Sequence, residues 1–140
     1  VASGCIRIAQ EAFPERLGEI FRQLSELVAD YRPDEMAIEQ VFMAKNAASA
    51  LKLGQARGAA ICACVTAGLP VFEYAPRAIK QAVVGSGGAD KDQVQHMIKH
   101  ILQLDEPLKP DQSDALAVAI SHAHTLGTAQ LIQRSGRRWR

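Results

Sequence analysis

AIEQVFMAKN, residues 37–46, places one carboxylate, Glu39, in a run that otherwise reads as a buried strand. Met36, Ala37, Ile38, Val41 and Phe42 are apolar, and Pro33-Asp34 just upstream is a turn signal. A buried carboxylate is costly unless it is paired, hydrogen-bonded or bound to a metal. Otherwise Glu39 belongs on the wet end of the strand. Which of these holds depends on whether other carboxylates reach it.

Outward from this strand, the chain alternates helix and strand. Leu17, Ile20, Phe21, Leu24, Leu27 and Val28 recur at three-and-four spacing, which predicts an amphipathic helix over 14–31, with Pro14 in its first turn. The opening strand covers 35–42. An alanine-rich helix follows over 46–67 and stops at Gly68. Residues 71–74 read as a short strand and 76–84 as a helical turn or short helix. GSGGAD at 85–90 reads as a flexible loop. Residues 91–104 and 110–125 are further helices, the last with Leu116, Ala117, Ile120 and Ala123 as its core stripe. Residues 1–8 are strand-like. About three strands among these helices predict an α/β layer structure. The expected organisation is one domain over 1–126 and a basic, disordered tail over 127–140.

The 140 residues suit one core, and 48% hydrophobic with 22% charged residues is an ordinary globular composition. No apolar run approaches the ~18 residues of a membrane span. Cys5, Cys62 and Cys64 lack zinc-type spacing and read as reduced cysteines of a cytoplasmic protein. Cys62 and Cys64, two apart on a helix, point to different faces. The net charge is +1, but its distribution is uneven. The first 39 residues hold eight acids and four bases, whereas residues 40–104 hold seven bases (Lys45, Lys52, Arg57, Arg77, Lys80, Lys91, Lys99) and three acids. Arg134, Arg137, Arg138 and Arg140 add to the tail. This segregation permits a basic, nucleic-acid-binding face; solvated helix faces look similar.

The last helix opens KPDQSDALAVA. Asp111 and Asp114 are three apart and share a face. Aspartates in a first helical turn commonly cap amides and complement the macrodipole. With Glu39, however, they make three carboxylates from two elements, which repel unless a cation holds them. Hard oxygen donors suit Mg2+ or Mn2+. A pair of such ions serves phosphodiester hydrolysis.

AIEQVFMAKNAASALKLGQARGAA, IKQAVVGSGGADKDQVQHM and DQSDALAVAISHAH, in that order, together with SGCIR at 3–7, closely resemble the RuvC family of Holliday-junction resolvases. The resemblance implies a ribonuclease H-like fold, a homodimer, Mg2+ (or Mn2+), and paired symmetric nicks in four-way junction DNA, with RuvA–RuvB as a partner. It puts the catalytic, metal-binding acids on Glu39, Asp111 and Asp114. It puts Phe42 against a base, and Lys80 and Lys91 beside the cleaved phosphate. Lys45, Lys52 and Arg57 become candidate DNA-backbone contacts. Part of the 46–67 helix, rich in small residues, becomes the dimer surface. For Phe42 the alternative is core packing, and for the lysines a solvated charge. His96, His100, His122 and His124 form no metal set; His122 and His124 read as ordinary residues near a helix end. The family's Gly-Ile-Asp-Pro-Gly stretch, with its first catalytic aspartate, has no counterpart here, so the expectation is a chain that begins at the family's third strand. This leaves a second reading, a catalytically silent dimeric junction binder unable to cleave efficiently. A third is a related nuclease acting on RNA, against which the long FMAKNAASALKLGQARG match counts.

Overall fold

The structure is a computed structural model; it describes residues 2–41 and 46–136, and of residues 131–136 the backbone alone. Among the described residues the order is α1 (Phe13–Tyr31), β1 (Met36–Glu39), α2 (Ala47–Thr66), β2 (Val71–Tyr74), α3 (Pro76–Val84), α4 (Lys91–Leu102) and α5 (Pro110–Gly136). They gather in two compact units, one over Gly4–Glu73, the other from Tyr74 through α5 together with Ala2 and Ser3. No described helix is long and apolar enough to cross a membrane.

In the first unit α1 packs on α2. The expected stripe is only half-buried at Leu17, Ile20, Leu24 and Val28, and Phe21 and Leu27 are exposed. The outer face of α1 is tied locally. Arg22 donates to Glu19 at 2.6 and 3.0 Å and to Glu26 at 2.5 Å. That guanidinium, helped by the Gln23 amide, lowers the Glu19 carboxyl to about 2. α2 begins at Asn46, whose side chain accepts from the amides of Ala48 and Ser49 at 3.0 and 3.4 Å. It ends before Gly68, which takes the left-handed φ of 85° that a helix stop favours. Cys64 is buried and Cys62 exposed, as their spacing requires, and burial pushes the Cys64 thiol up. β1 and β2 form a two-stranded sheet, and the Met36 amide donates to Pro70 O at 2.9 Å.

The strand expected over residues 1–8 is not formed by the described residues 2–8. A strand needs a neighbour, and the polar groups here are used otherwise. Arg7 O accepts from Gln23 Nε2 at 3.1 Å, and Ser3 Oγ accepts from Gln112 Nε2 at 2.9 Å. The strand over 35–42 is shorter than expected, since β1 closes at Glu39.

The second unit carries the better-packed core, with α3, α4 and α5 in mutual contact. Ile79, Val83, Val94, Ile98, Leu116, Ala117 and Ile120 are buried. Ala123, expected in this stripe, is exposed. Two residues turn a helix by roughly 200°, so Ala123 faces away from Ser121, which lies on the buried side at 2% exposure. Ile98 is fully buried. Ile98→Ala should cost about 2–5 kcal/mol, through lost transfer energy plus a residual cavity. Urea unfolding measures this, and a loss under about 1 kcal/mol would show that the site collapses around the deletion.

The 85–90 loop is pinned. Gly85 adopts a left-handed φ of 81° at the end of α3. Gln81 donates to Gly85 O at 2.8 Å and accepts from the Gly87 amide at 3.0 Å. Asp90 and Gln93 then close a reciprocal capping box at the start of α4, at 2.8 and 2.9 Å. α5 runs through Gly127 to Gly136, where the tail was expected to fray. A single helical glycine costs only about 1 kcal/mol against alanine, and AQLIQR after it are helix-tolerant residues. Thr125 and Thr128 bond back to the carbonyls of Ser121 and His124, both at 2.9 Å.

Candidate nuclease site

Glu39 is the last residue of β1 and is exposed, which places it on the wet end of the strand. Its backbone carbonyl is held from α2, where Arg57 Nε donates to Glu39 O at 2.9 Å. Arg57 Nη2 also lies 2.9 Å from Glu73 Oε2 in β2. This contact is an ion pair off the line of a hydrogen bond.

Asp111 and Asp114 occupy the opening of α5, and both are exposed. Among the described residues neither accepts a hydrogen bond or joins an ion pair, so neither acts as a side-chain cap. The start of the helix is secured by other groups. Ser113 N donates to Lys109 O at 2.9 Å, and Lys109 N donates to Gln112 Oε1 at 3.3 Å. Two uncommitted carboxylates one turn apart are hard oxygen donors suited to a divalent cation. Glu39 lies in the other unit, and no group of three or more His, Cys, Asp or Glu that could hold a metal ion is gathered among the described residues.

Lys80 lies near the middle of α3, half-buried, and Lys91 is the exposed first residue of α4. A cation at a helix N-terminus is locally unfavourable by a few tenths of a kcal/mol or more. Helix stability therefore does not account for Lys91. Lys52 is exposed, with Nζ 5.9 Å from the centroid of the Phe13 ring. Arg57 is the least available of the basic candidates, its side chain 20% exposed. Phe42 and Lys45 lie outside the described residues.

Sequence reasoning missed the role of His122. It is not near a helix end but in the body of α5, buried, with Nδ1 2.6 Å from Tyr74 Oη and the two rings edge-on at 5.6 Å. His124 Nδ1 lies 3.1 Å from Ala82 O. A spacing of 48 residues gives no local signal for the Tyr74 pair. Tyr74→Phe should lower stability by about 1–3 kcal/mol, because it strips a buried imidazole of its hydroxyl partner. An unchanged melting temperature would contradict that.

The family model for crossover junction endodeoxyribonuclease RuvC matches residues 1–122. RuvC of Methylococcus capsulatus is 59% identical over 138 residues, 99% of this chain and 84% of that protein. RuvC of Vibrio parahaemolyticus is 60% identical over 125 residues, covering 89% and 72%. Among solved structures, Thermus thermophilus RuvC in complex with Holliday junction substrate superposes with a TM-score of 0.81 at 37% identity, over 88% of this chain and 75% of that one. The same organism's RuvC structure gives a TM-score of 0.78 at 36% identity. The α/β fold is therefore the expected ribonuclease H-like one, and the chain belongs to the RuvC family of crossover junction endodeoxyribonucleases.

Proposed function

We propose that this protein is a structure-selective endonuclease that resolves Holliday junctions by paired symmetric nicks in DNA recombination and repair. The observation that carries the reading is the family match over residues 1–122, a span that includes Glu39, Asp111 and Asp114. The relatives' description as endonucleases favours an enzyme over a catalytically silent junction binder. The Thermus relative solved with its Holliday junction substrate favours DNA junctions over RNA.

Hydrolysis in this reading is metal-dependent, with Mg2+ (or Mn2+) as the ion and Glu39, Asp111 and Asp114 as its ligands. Two such ions, when bound, would supply an activated water and charge stabilisation at the leaving oxygen. The chain's own residues do the rest. Lys80 and Lys91 hold the scissile phosphate and balance its charge. Phe42 stacks on a base, and Lys45 and Lys52 contact the DNA backbone, which positions the duplex without reading its sequence. Residues 1–126 serve as the resolvase domain.

The protein acts as a homodimer in this reading, matching two sites to a substrate of near two-fold symmetry. Support comes from α2, which exposes Leu51 and Leu53 and has open space beside Gly54 and Gly58. RuvA–RuvB is the proposed partner complex, and the cytoplasm the proposed compartment, consistent with three free cysteines. The test is cleavage of a four-way junction and of a linear duplex of the same arms. The junction should be cut far faster, with Mg2+ required and EDTA abolishing cleavage. Equal rates on both substrates would refute structure selectivity.

A further inference from the structure

We propose that Arg57 is a positioning residue that sets the direction of the Glu39 carboxylate, and not a DNA contact; this rests on the reading of Glu39 as a catalytic acid. β1 ends at Glu39, so the carbonyl of that residue lies where the sheet ladder gives out. Arg57 Nε donates to that oxygen at 2.9 Å, from α2 and across 18 residues of sequence. A hydrogen bond to a residue's own carbonyl restricts its ψ, and the backbone fixes where the Cα–Cβ bond points. The second arm of the same guanidinium is paired with Glu73 at 2.9 Å, which anchors the fork on β2. A planar, always-charged fork holds two such partners at once, which a lysine ammonium on its flexible stem does not. With Nε engaged by the Glu39 carbonyl, its charge offset by Glu73 and its side chain 20% exposed, Arg57 has little to offer a phosphate.

The experiment compares the full protein with Arg57→Lys, Arg57→Gln, Glu73→Gln and Glu39→Gln. It reads single-turnover cleavage against Mg2+ concentration, junction affinity over a salt series in Ca2+, and melting temperature. Positioning predicts that Arg57→Lys loses ~10–100-fold in rate, the range for residues that orient metal ligands, and needs more Mg2+ for half-maximal activity. Arg57→Gln, which removes the charge, should keep the affinity and salt slope of the unchanged protein. Glu73→Gln should move rate and metal requirement the same way by less, which keeps the test open if Arg57→Lys melts below the assay temperature. A phosphate contact predicts instead that Arg57→Gln binds more weakly, with a salt slope shallower by about one and an unchanged metal requirement; that result overturns the proposal. Full activity of Arg57→Lys beside an inactive Glu39→Gln overturns it too, while leaving the role of Glu39 intact. Full activity of Glu39→Gln instead refutes Glu39 as a catalytic acid.

Discussion

Asp114→Asn should abolish junction cleavage while leaving junction binding intact. Asp114 is exposed in the opening of α5, without a hydrogen bond or ion pair among the described residues, so its carboxylate has no structural task there. Asparagine keeps its shape and is tolerated near a helix start. The variant should therefore melt with the unchanged protein. In the proposed site it loses one negative oxygen donor beside Asp111, and with it charge and geometry for a bound cation. A fall of ~10²–10³ in cleavage rate is expected, comparable with removing one charge-stabilising group from a reacting site. Affinity for the junction should stay within a few-fold or rise slightly, since a repulsive charge has gone. Normal nicking by Asp114→Asn would reduce Asp114 to a dipole-complementing surface charge. Asp111→Asn should behave alike, because the two aspartates sit one turn apart.

Lys80→Ala and Lys91→Ala should each slow cleavage, by at least ~10-fold at physiological salt if each amine faces the reacting phosphate. Each should also flatten the dependence of log affinity on log salt by about one, the signature of a lost phosphate contact. With a net charge of only +1, the proposed DNA affinity rests on local basic residues and not on the overall charge. Lys91 is the sharper case, because it sits at the positive end of α4, where helix energetics disfavour a cation. Unchanged salt slopes in both variants would remove these lysines from the DNA interface.

Much of the helical framework was legible because its ends carry chemical signals. Pro14 and Pro76 mark helix starts, and Gly68 and Gly85 supply the left-handed stops. The 71–74 strand and the 76–84 helix fall where the sequence placed them. Residues 2–8 do not form the expected strand, since pairing is non-local and their side chains and carbonyls find other partners. α5 continues past Gly127, because one glycine is a small penalty against a turn of helix secured by threonine back-bonds. For the site, residue type and spacing were enough to single out Glu39, Asp111 and Asp114. Their assignment as a set came from the family resemblance. The task of Arg57 was hidden, since its partner at Glu39 is a backbone carbonyl that no side-chain pattern announces. Tyr74 and His122 were hidden for a related reason: the pair meets only through tertiary packing.

Mapping the nicks on one synthetic four-way junction tests the central claim most directly. Each strand is labelled in turn, the protein is added with Mg2+, and cut positions are read at single-nucleotide resolution. Two nicks at symmetry-related positions in opposite strands, absent with Asp114→Asn, are the predicted result. Cuts in a single strand, scattered cuts along the arms, or the same pattern from Asp114→Asn would contradict a paired, carboxylate-dependent resolvase.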